Sequence, residues 1–350
     1  MARSHRERQR MLVGLTHTQY SADSGNDPQA VRLARQLLGK LDLQNQFIMG
    51  WGALSPEPSP GDFQWASLDR RVALMRISGQ PMALTLCGAP TWMTGGPAGQ
   101  TDWSRMNKAP LPQHYKAFAE LARVIAQRYP DIGYYQVWSE LRGFRNEAEN
   151  RWDYEGYTSL YNDVYAALKS VNQNLQVGGP YAVIDSWHSA AAGGHPSAIA
   201  GPWGTMDQRA LDALAYWLQH KRGADFVSVD GSLAPRDGGA PLEDSVATGK
   251  FAAAVRWLRS KTDLPIWWSE VRVGPASWYP DASAIGSATS AALSALASGG
   301  TSVALLWCGE RCTGMPGIPG LWTPTDTPDG GRPTPVMTAV ARLLDDVRGA

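Results

Sequence analysis

Cysteine is scarce in this 350-residue chain, which contains Cys87, Cys308 and Cys312 and no others. Three cysteines are too few for a disulfide framework, and no CxxC pair or histidine spacing indicates a zinc or iron site. We therefore expect no metal. Cys308 and Cys312 are close enough in sequence to bridge a loop, and such a bridge would indicate an oxidising compartment.

Long apolar runs and an excess of one charge are also absent. No stretch is long enough to span a membrane, and Met11 to Leu15 is too short for the core of a signal peptide. Either the protein stays in the cytoplasm or an export signal lies outside this chain, and we favour secretion. Lys plus Arg equals Asp plus Glu at 32 each, so neither nucleic acid nor an anionic membrane is expected as a partner. An uncharged substrate is expected instead.

Three common motifs are missing. The chain has no GxGxxG, no GxxxxGK[ST] and no GxSxG. Their absence argues against a dinucleotide site, a nucleoside triphosphate site and a serine hydrolase elbow. We therefore expect no organic cofactor.

What the chain does contain is a regular alternation of strand and helix patterns. The predicted strands are Leu12–Tyr20, Gln46–Trp51, Pro81–Cys87, Tyr134–Glu140, Val177–Tyr181, Asp225–Asp230, Leu264–Glu270 and Thr301–Cys308. The predicted helices begin near residues 27, 65, 114, 154, 208, 242, 282 and 334. Eight such units favour a single α/β domain folded as a (β/α)8 TIM barrel over residues 12–350, after a basic arm at 1–11. An open, doubly wound sheet is the alternative.

Two of these strands end in the same way. The stretch from Tyr134 to Phe144 reads YYQVWSELRGF, and Leu264 to Glu270 reads LPIWWSE, so Glu140 and Glu270 each follow a Trp-Ser pair. Carboxyl ends of barrel strands share one rim, where active sites are built. Two carboxyl groups together can protonate a glycosidic oxygen and stabilise an oxocarbenium-like centre. The structural alternative is that each glutamate caps a helix or pairs with Arg142 or Arg272.

Sugar-binding candidates lie at the same rim. Trp outnumbers Phe by 15 to 6, and flat aromatic rings suit sugar faces, although Trp also fills cores. We expect Trp51, Trp92 and Trp307 to stack on sugars. Hydroxyl-binding candidates are Tyr181, Asp230 and His17; Asp230 has a second possible role in orienting other groups, and His17 can equally be an internally bonded residue.

The residues resemble the retaining (β/α)8 glycoside hydrolases of clan A, and within it the family 39 β-xylosidase group. The similarity covers residues 12–345 and is carried by four stretches: Trp51–Asp69 (WGALSPEPSPGDFQWASLD), Val137–Gly143 (VWSELRG), Val177–Tyr181 and Ile266–Glu270. The resemblance implies Glu140 as the acid/base and Glu270 as the nucleophile. Two features depart from it. Ser139 stands where the clan usually has an Asn that binds the sugar 2-hydroxyl, and we expect no room in these 350 residues for the accessory β-sandwich of family 39 after the predicted eighth helix.

The sequence therefore predicts a retaining O-glycoside hydrolase acting on an oligosaccharide or glycoside, with pentosides such as xylosides or arabinosides first. One alternative, motivated by Ser139, is a carbohydrate-binding barrel without turnover. Another is a barrel enzyme of different chemistry, such as a lyase or isomerase, which would place the two carboxyl groups too far apart for retaining hydrolysis.

Overall fold

Eight parallel strands close into a barrel in the computed structural model, which describes residues 10–190, 193–312 and 314–349. The barrel strands, numbered one to eight, are Leu12–His17, Leu43–Phe47, Met82–Leu86, Tyr134–Val137, Gln176–Val183, Phe226–Ser232, Ile266–Arg272 and Val303–Trp307. Each strand pairs with its neighbours in chain order, and strand eight pairs with strand one to complete the ring. The predicted (β/α)8 barrel is thus confirmed, and the open sheet is excluded.

Helices separate the strands and cover the outside of the barrel. Those that cover it are Pro28–Leu38, Ala66–Arg76, Tyr115–Arg128, Tyr154–Val171, Gln208–His220, Gly249–Arg259, Ala282–Gly299 and Pro335–Gly349. The first has the predicted start, because the carboxylate of Asp27 accepts hydrogen bonds from the amides of Gln29 and Ala30 and Pro28 needs no amide partner. The sixth is shorter than predicted, since the single helix expected from Leu242 is divided into Asp244–Ala247 and Gly249–Arg259.

Strand two lies three residues earlier than predicted. The observed strand Leu43–Phe47 reads LQNQF, a polar sequence, yet all five of its residues are buried. The apolar stretch that was predicted as strand instead forms a turn, in which Gly50 and Trp51 have φ angles of 75° and 52°. A hydrophobic pattern does not indicate this strand, because most of its side chains are polar amides. They can be buried because they form hydrogen bonds inside the barrel.

Those hydrogen bonds form a polar belt inside the barrel. Asn45 donates to Thr16 at 3.0 Å, and Thr85 donates to Asn45 at 3.1 Å. Gln136 then donates to Thr85 at 3.1 Å and accepts from Ser269. The belt joins strands one, two, three, four and seven directly beside the position of Glu270, so it holds the base of the rim in register.

The segment after strand five contains short strands of its own. Although this segment is rich in Gly, Ala and Pro, it includes a small antiparallel sheet formed by Ser186–Trp187, Pro196–Gly201 and Gly204–Asp207. A second hairpin, missed by the sequence, pairs Arg145–Asn146 with Arg151–Trp152. Short strands of this kind lack the periodicity that prediction needs.

Cys308 and Cys312 are joined by a disulfide after strand eight, as their spacing allowed, and Cys87 is free and buried. In the part of the chain that the structure describes, no helix has both the length and the apolar character to cross a membrane. Residues 1–9 of the predicted basic arm lie outside the described residues.

Candidate active site

Glu140 and Glu270 meet at the carboxyl-terminal rim of the barrel together with Asp230. Each of the three offers a carboxylate oxygen, and these oxygens all lie within 4.8 Å of one another. Asp230 and Glu270 lie on the side of the site that is closed to solvent: Asp230 is fully buried and the side chain of Glu270 is 7% exposed. Glu140, at 18% exposure, faces the open side.

Strand register brings Asp230 to Glu270. Strands six and seven are adjacent and parallel, and Asp230 pairs with Glu270 across them. The register shifts between Val229 and Asp230, just before the pair. Such an irregularity re-aims side chains at the end of a strand, and it is not visible in a hydrophobic pattern.

Backbone conformation directs Glu140. Strand four ends at Val137, and Trp138, Glu140 and Leu141 have φ angles of 71°, 54° and 51°. The amide of Glu140 donates to the carbonyl of Tyr181 at 2.8 Å, which ties this turn to strand five. Non-glycine residues with left-handed φ cost free energy and persist only where the surroundings impose them, often at functional sites.

Two arginines hold the carboxylates. Arg142 contacts Glu140 Oε2 at 2.6 Å, and Arg272 contacts Asp230 Oδ2 at 2.8 Å. Arg272 also lies 3.6 Å from Glu140 and 3.8 Å from Glu270, so one guanidinium faces all three acids. The sequence contained a signal for both, since Trp-Ser-Glu is followed by Leu-Arg in one strand end and by Val-Arg in the other.

The acids differ in the direction of their pKa shifts. Burial raises the pKa of Glu270 to about 7, against the attraction of Arg272, and the charge of Glu140 raises it further. Burial likewise raises the pKa of Asp230 well above its ordinary value. Burial would also raise the pKa of Glu140, but Arg142, Asp230 and Arg272 together lower it. The free protein therefore favours an ionised Glu140 and a proton on the Glu270–Asp230 side.

Three carboxylates so close together have the chemistry of a cation site. Here the guanidinium groups of Arg142 and Arg272 already supply positive charge at contact distance. We keep the prediction that the site needs no metal, because these fixed cations stabilise the same negative charge.

A cleft of about 1040 Å³ opens on the side of strands one to four. Its wall includes Glu140 and Arg142, the turn around Trp51 and helix residues up to Arg70. Trp103 and Asn107, from the long loop after strand three, complete it. Trp103 is 46% exposed, which is high for so large an apolar ring. Neither Trp103 nor Arg70 was singled out from the sequence, because neither lies at a strand end.

The three predicted stacking residues occupy different environments. Trp51 lines the cleft, and its buried indole Nε1 has no hydrogen-bond partner in the described part of the chain. Trp307 is buried and packs edge-on against Trp51, with ring centres 5.0 Å apart. Trp92 does not line this cleft, and its Nε1 donates to the carbonyl of Glu57 at 3.0 Å.

The polar candidates also differ in their hydrogen bonding. Ser139 is buried beside Glu140, and its hydroxyl makes no hydrogen bond among the described residues. Tyr181 is buried and its hydroxyl donates to the carbonyl of Ser269 at 3.2 Å. His17 is buried with both ring nitrogens engaged, at 2.7 Å from Ser21 Oγ and 2.9 Å from Gln44 Oε1. No nitrogen of His17 is left for a sugar hydroxyl in this arrangement, so the internally bonded alternative describes its position.

No protein-family model matches the chain, and no curated protein matches it. Solved structures with a similar fold include several glycoside hydrolases. The β-glycosidase BGL167 is 16% identical with a TM-score of 0.63, and the match covers 97% of each chain. The GH39 enzyme from Xanthomonas axonopodis pv. citri is 17% identical with a TM-score of 0.62, over 95% of this chain and 66% of that one.

Another similar structure is xylanase 10B from Thermotoga petrophila RKU-1 in complex with xylobiose. It is 11% identical with a TM-score of 0.61, and the match covers 97% of this chain and 95% of that one. At such identities the likeness establishes the fold. It does not establish membership of family 39, which stays a prediction.

Proposed function

We propose that this protein hydrolyses O-glycosides with retention of anomeric configuration. The observation that carries the proposal is the closeness of Glu140 and Glu270, whose carboxylate oxygens lie within 4.8 Å at the ends of strands four and seven. Retaining glycosidases need about 5 Å between their two carboxyl groups, whereas inverting enzymes leave room for a water. The lyase and isomerase alternatives, which predicted a wide separation, lose support from the same distance.

In the proposed reaction Glu270 attacks the anomeric carbon while Glu140 protonates the departing oxygen. Glu140 then removes a proton from water, which displaces Glu270 and releases the sugar. Asp230 and Arg272 orient Glu270 from below, since Arg272 contacts Asp230 at 2.8 Å. Trp51 and Trp103 offer aromatic faces in the cleft. The hydroxyl of Ser139 is buried beside Glu140 and does not line the cleft, so a contact with the sugar would require it to become exposed. Pentosides remain the first substrates to try.

Protonation must be rearranged before this reaction can start. The mechanism needs a protonated Glu140 and an ionised Glu270, whereas Arg142 lowers the pKa of Glu140 and burial raises that of Glu270. The productive form is then a minor one in the free protein, with the proton moved between two neighbouring carboxyl groups. A bound sugar that displaces Arg142 from Glu140 would favour it.

The direct experiment is hydrolysis of a panel of aryl glycosides and oligosaccharides, with the first-formed anomer identified by proton NMR. We expect the initial product to have the configuration of the substrate. An initial product of inverted configuration would contradict the double displacement.

The ion pair between Arg142 and Glu140 gives a second test of the assigned roles. In Arg142→Gln the pKa of Glu140 should rise, because a cation 2.6 Å away has been removed. Both limbs of kcat/KM against pH should move upward, because Arg142 lowers the pKa of both glutamates. If Glu140 is the acid, the shared proton moves toward Glu140, the productive form becomes more populated and the maximum of kcat/KM rises. A lower maximum would instead make Glu140 the nucleophile. Arg145→Gln, in the same loop but paired with Glu147, is the control and should leave both limbs in place.

The same ion pair favours a second candidate, a carbohydrate-binding barrel without turnover. An acid/base held ionised by Arg142 cannot donate a proton, and Ser139 replaces the asparagine expected beside it. Calorimetric binding of oligosaccharides with no hydrolysis of any glycan in the panel would favour this candidate.

A further inference from the structure

Arg70 occupies a junction at the edge of the cleft. It lies on the helix Ala66–Arg76 and lines the cleft that contains Glu140. A second depression of about 390 Å³ adjoins the cleft, and Arg70, Gln19 and Gly52 line both. Glu140 does not contribute to the second depression, so Arg70 stands at the end of the cleft away from the acids.

The positive charge of Arg70 is weakly compensated. Its contacts among the described residues are the carbonyl of Gly52 at 3.4 Å and Asp23 at 3.9 Å. Asp23 is held more closely by Arg71, whose Nη1 lies 2.8 Å from Asp23 Oδ1. The guanidinium of Arg70 therefore keeps most of its donors free and is 65% exposed.

The other charges at this edge are already paired. Arg142 is neutralised by Glu140 at 2.6 Å. Arg311, which lines the second depression, is bound by both oxygens of Asp326 at 2.8 and 2.9 Å. Glu310 also lies 4.0 Å from Arg311, so carboxylates balance the arginines in number at this edge. Among these arginines, Arg70 is the one whose nearest carboxylate is as far away as 3.9 Å.

An exposed arginine is in most cases simply solvated. Arg70 differs because it forms part of the wall of a concave site next to the aromatic faces of Trp51 and Trp103. A guanidinium presents two parallel N–H groups that match a carboxylate or a sulfate in a bidentate contact. A lysine or a neutral donor would not discriminate such groups by shape.

We propose that Arg70 binds an anionic group of the glycan, a uronate carboxylate or a sulfate ester, on a sugar beyond the one that is cleaved. The proposal rests on the proposed function for the location of the cleaved sugar beside Glu140. It refines the expectation of an uncharged substrate, which came from the balanced charge of the whole chain: the cleaved unit is neutral and a neighbouring unit is charged.

Binding can be measured without turnover in the background of Glu270→Gln. The probes are xylan-type, mannan-type and glucan-type oligosaccharides that carry one uronic acid, each paired with the same compound after reduction of its carboxyl group. A sulfated oligosaccharide and its desulfated form make the second arm. We expect calorimetry to show about tenfold tighter binding of the charged member of at least one pair. The arm that shows the difference identifies the anionic group.

Adding Arg70→Gln should reduce this charge preference to near unity. The control is Arg32→Gln, which removes an exposed arginine from the outer helix Pro28–Leu38 and should keep the preference. Salt at about 0.5 M should also weaken the preference, because the contact is exposed to solvent.

Equal binding of the charged and neutral members of every pair would overturn the proposal. So would an equal loss of preference in the Arg32 and Arg70 variants. A third outcome is that the protein hydrolyses no glycan but still binds the charged member of a pair more tightly. This outcome would refute the proposed hydrolysis and support the role of Arg70, so failure of one proposal can be distinguished from failure of the other.

Discussion

Replacing Glu270 with alanine is expected to lower kcat/KM by about 10⁴-fold or more, because the proposed glycosyl intermediate forms on its carboxylate. Glu270 is buried in strand seven, with Asp230 paired to it on strand six and Arg272 3.8 Å away. Removal of its carboxylate leaves a space beside the anomeric carbon that a small anion can enter. Azide should restore part of the activity and give a glycosyl azide of inverted configuration, because only one displacement then occurs.

Two controls accompany the alanine variant. Glu270→Gln keeps the size of the side chain and should be equally inactive, which separates loss of the nucleophile from loss of packing. Glu310→Gln changes another buried glutamate, which follows strand eight and bonds Thr325 at 2.7 Å. It should retain activity within a few fold, provided that it is folded. Activity of Glu270→Ala within about tenfold of the wild type would exclude Glu270 as the nucleophile.

A second large effect is expected on acid stability, through His17. Burial lowers the pKa of His17 to about 3, and the charge of Arg71 adds to this shift. The geometry explains why the neutral ring is preferred: Gln44 Oε1 accepts from Nε2, so Nδ1 is left to accept from Ser21. If Nδ1 were protonated as well, it could no longer accept a hydrogen bond from the Ser21 hydroxyl. The ring would also carry a positive charge inside the barrel.

The sign follows from the lowered pKa. A histidine in the unfolded chain binds its proton near pH 6.5, whereas burial lowers the pKa of His17 in the folded protein to about 3. The contribution of His17 is therefore fully present above about pH 6.5 and is lost progressively as the pH falls toward 3. The difference between the pKa of His17 in the unfolded and folded states corresponds to a contribution on the order of 5 kcal/mol to the free energy of unfolding.

Urea unfolding of the wild type and His17→Gln between pH 7 and pH 4 measures this contribution. The wild type should lose more stability over this range than the variant, in which position 17 cannot titrate. Exposed His220→Gln is the control and should keep the wild-type dependence. Should His17→Gln fail to fold, NMR titration of the imidazole in the wild type provides the alternative: a ring that protonates near pH 6 would refute the prediction.

Local sequence was enough for most of the barrel. The helix Tyr154–Val171 begins where the sequence predicted, because Asp153 caps its first turn and its apolar side chains repeat with helical period. The alternation of eight strands and eight helices then required parallel pairing. The polar strand Leu43–Phe47 was not predicted in its observed position, because its burial depends on partners from other parts of the chain: the amide of Asn45, for example, bonds Thr16 and Thr85 from other strands.

The candidate site was predicted only in part. Glu140 and Glu270 were found because each ends a predicted strand, and the structure brings them together with Asp230. Trp92 was placed at the same rim by the same logic, yet the cleft opens elsewhere and Trp92 bonds Glu57. The position of a residue at a strand end indicates at which rim of the barrel it lies, but it does not indicate the direction in which its side chain points.

The sequence by itself determined the barrel and the two glutamates at its rim, because period, caps and strand ends are local properties of the chain. Tertiary structure decided which groups act on them. The pairing of Asp230 with Glu270 depends on a register shift. Arg142 reaches the acids from the turn after strand four, and Arg272 reaches them from the last position of strand seven. The weak pairing of Arg70 likewise depends on Asp23 being held more closely by Arg71. Electrostatic partners are set by distances across the fold, and a balanced net charge along the chain carries no information about them.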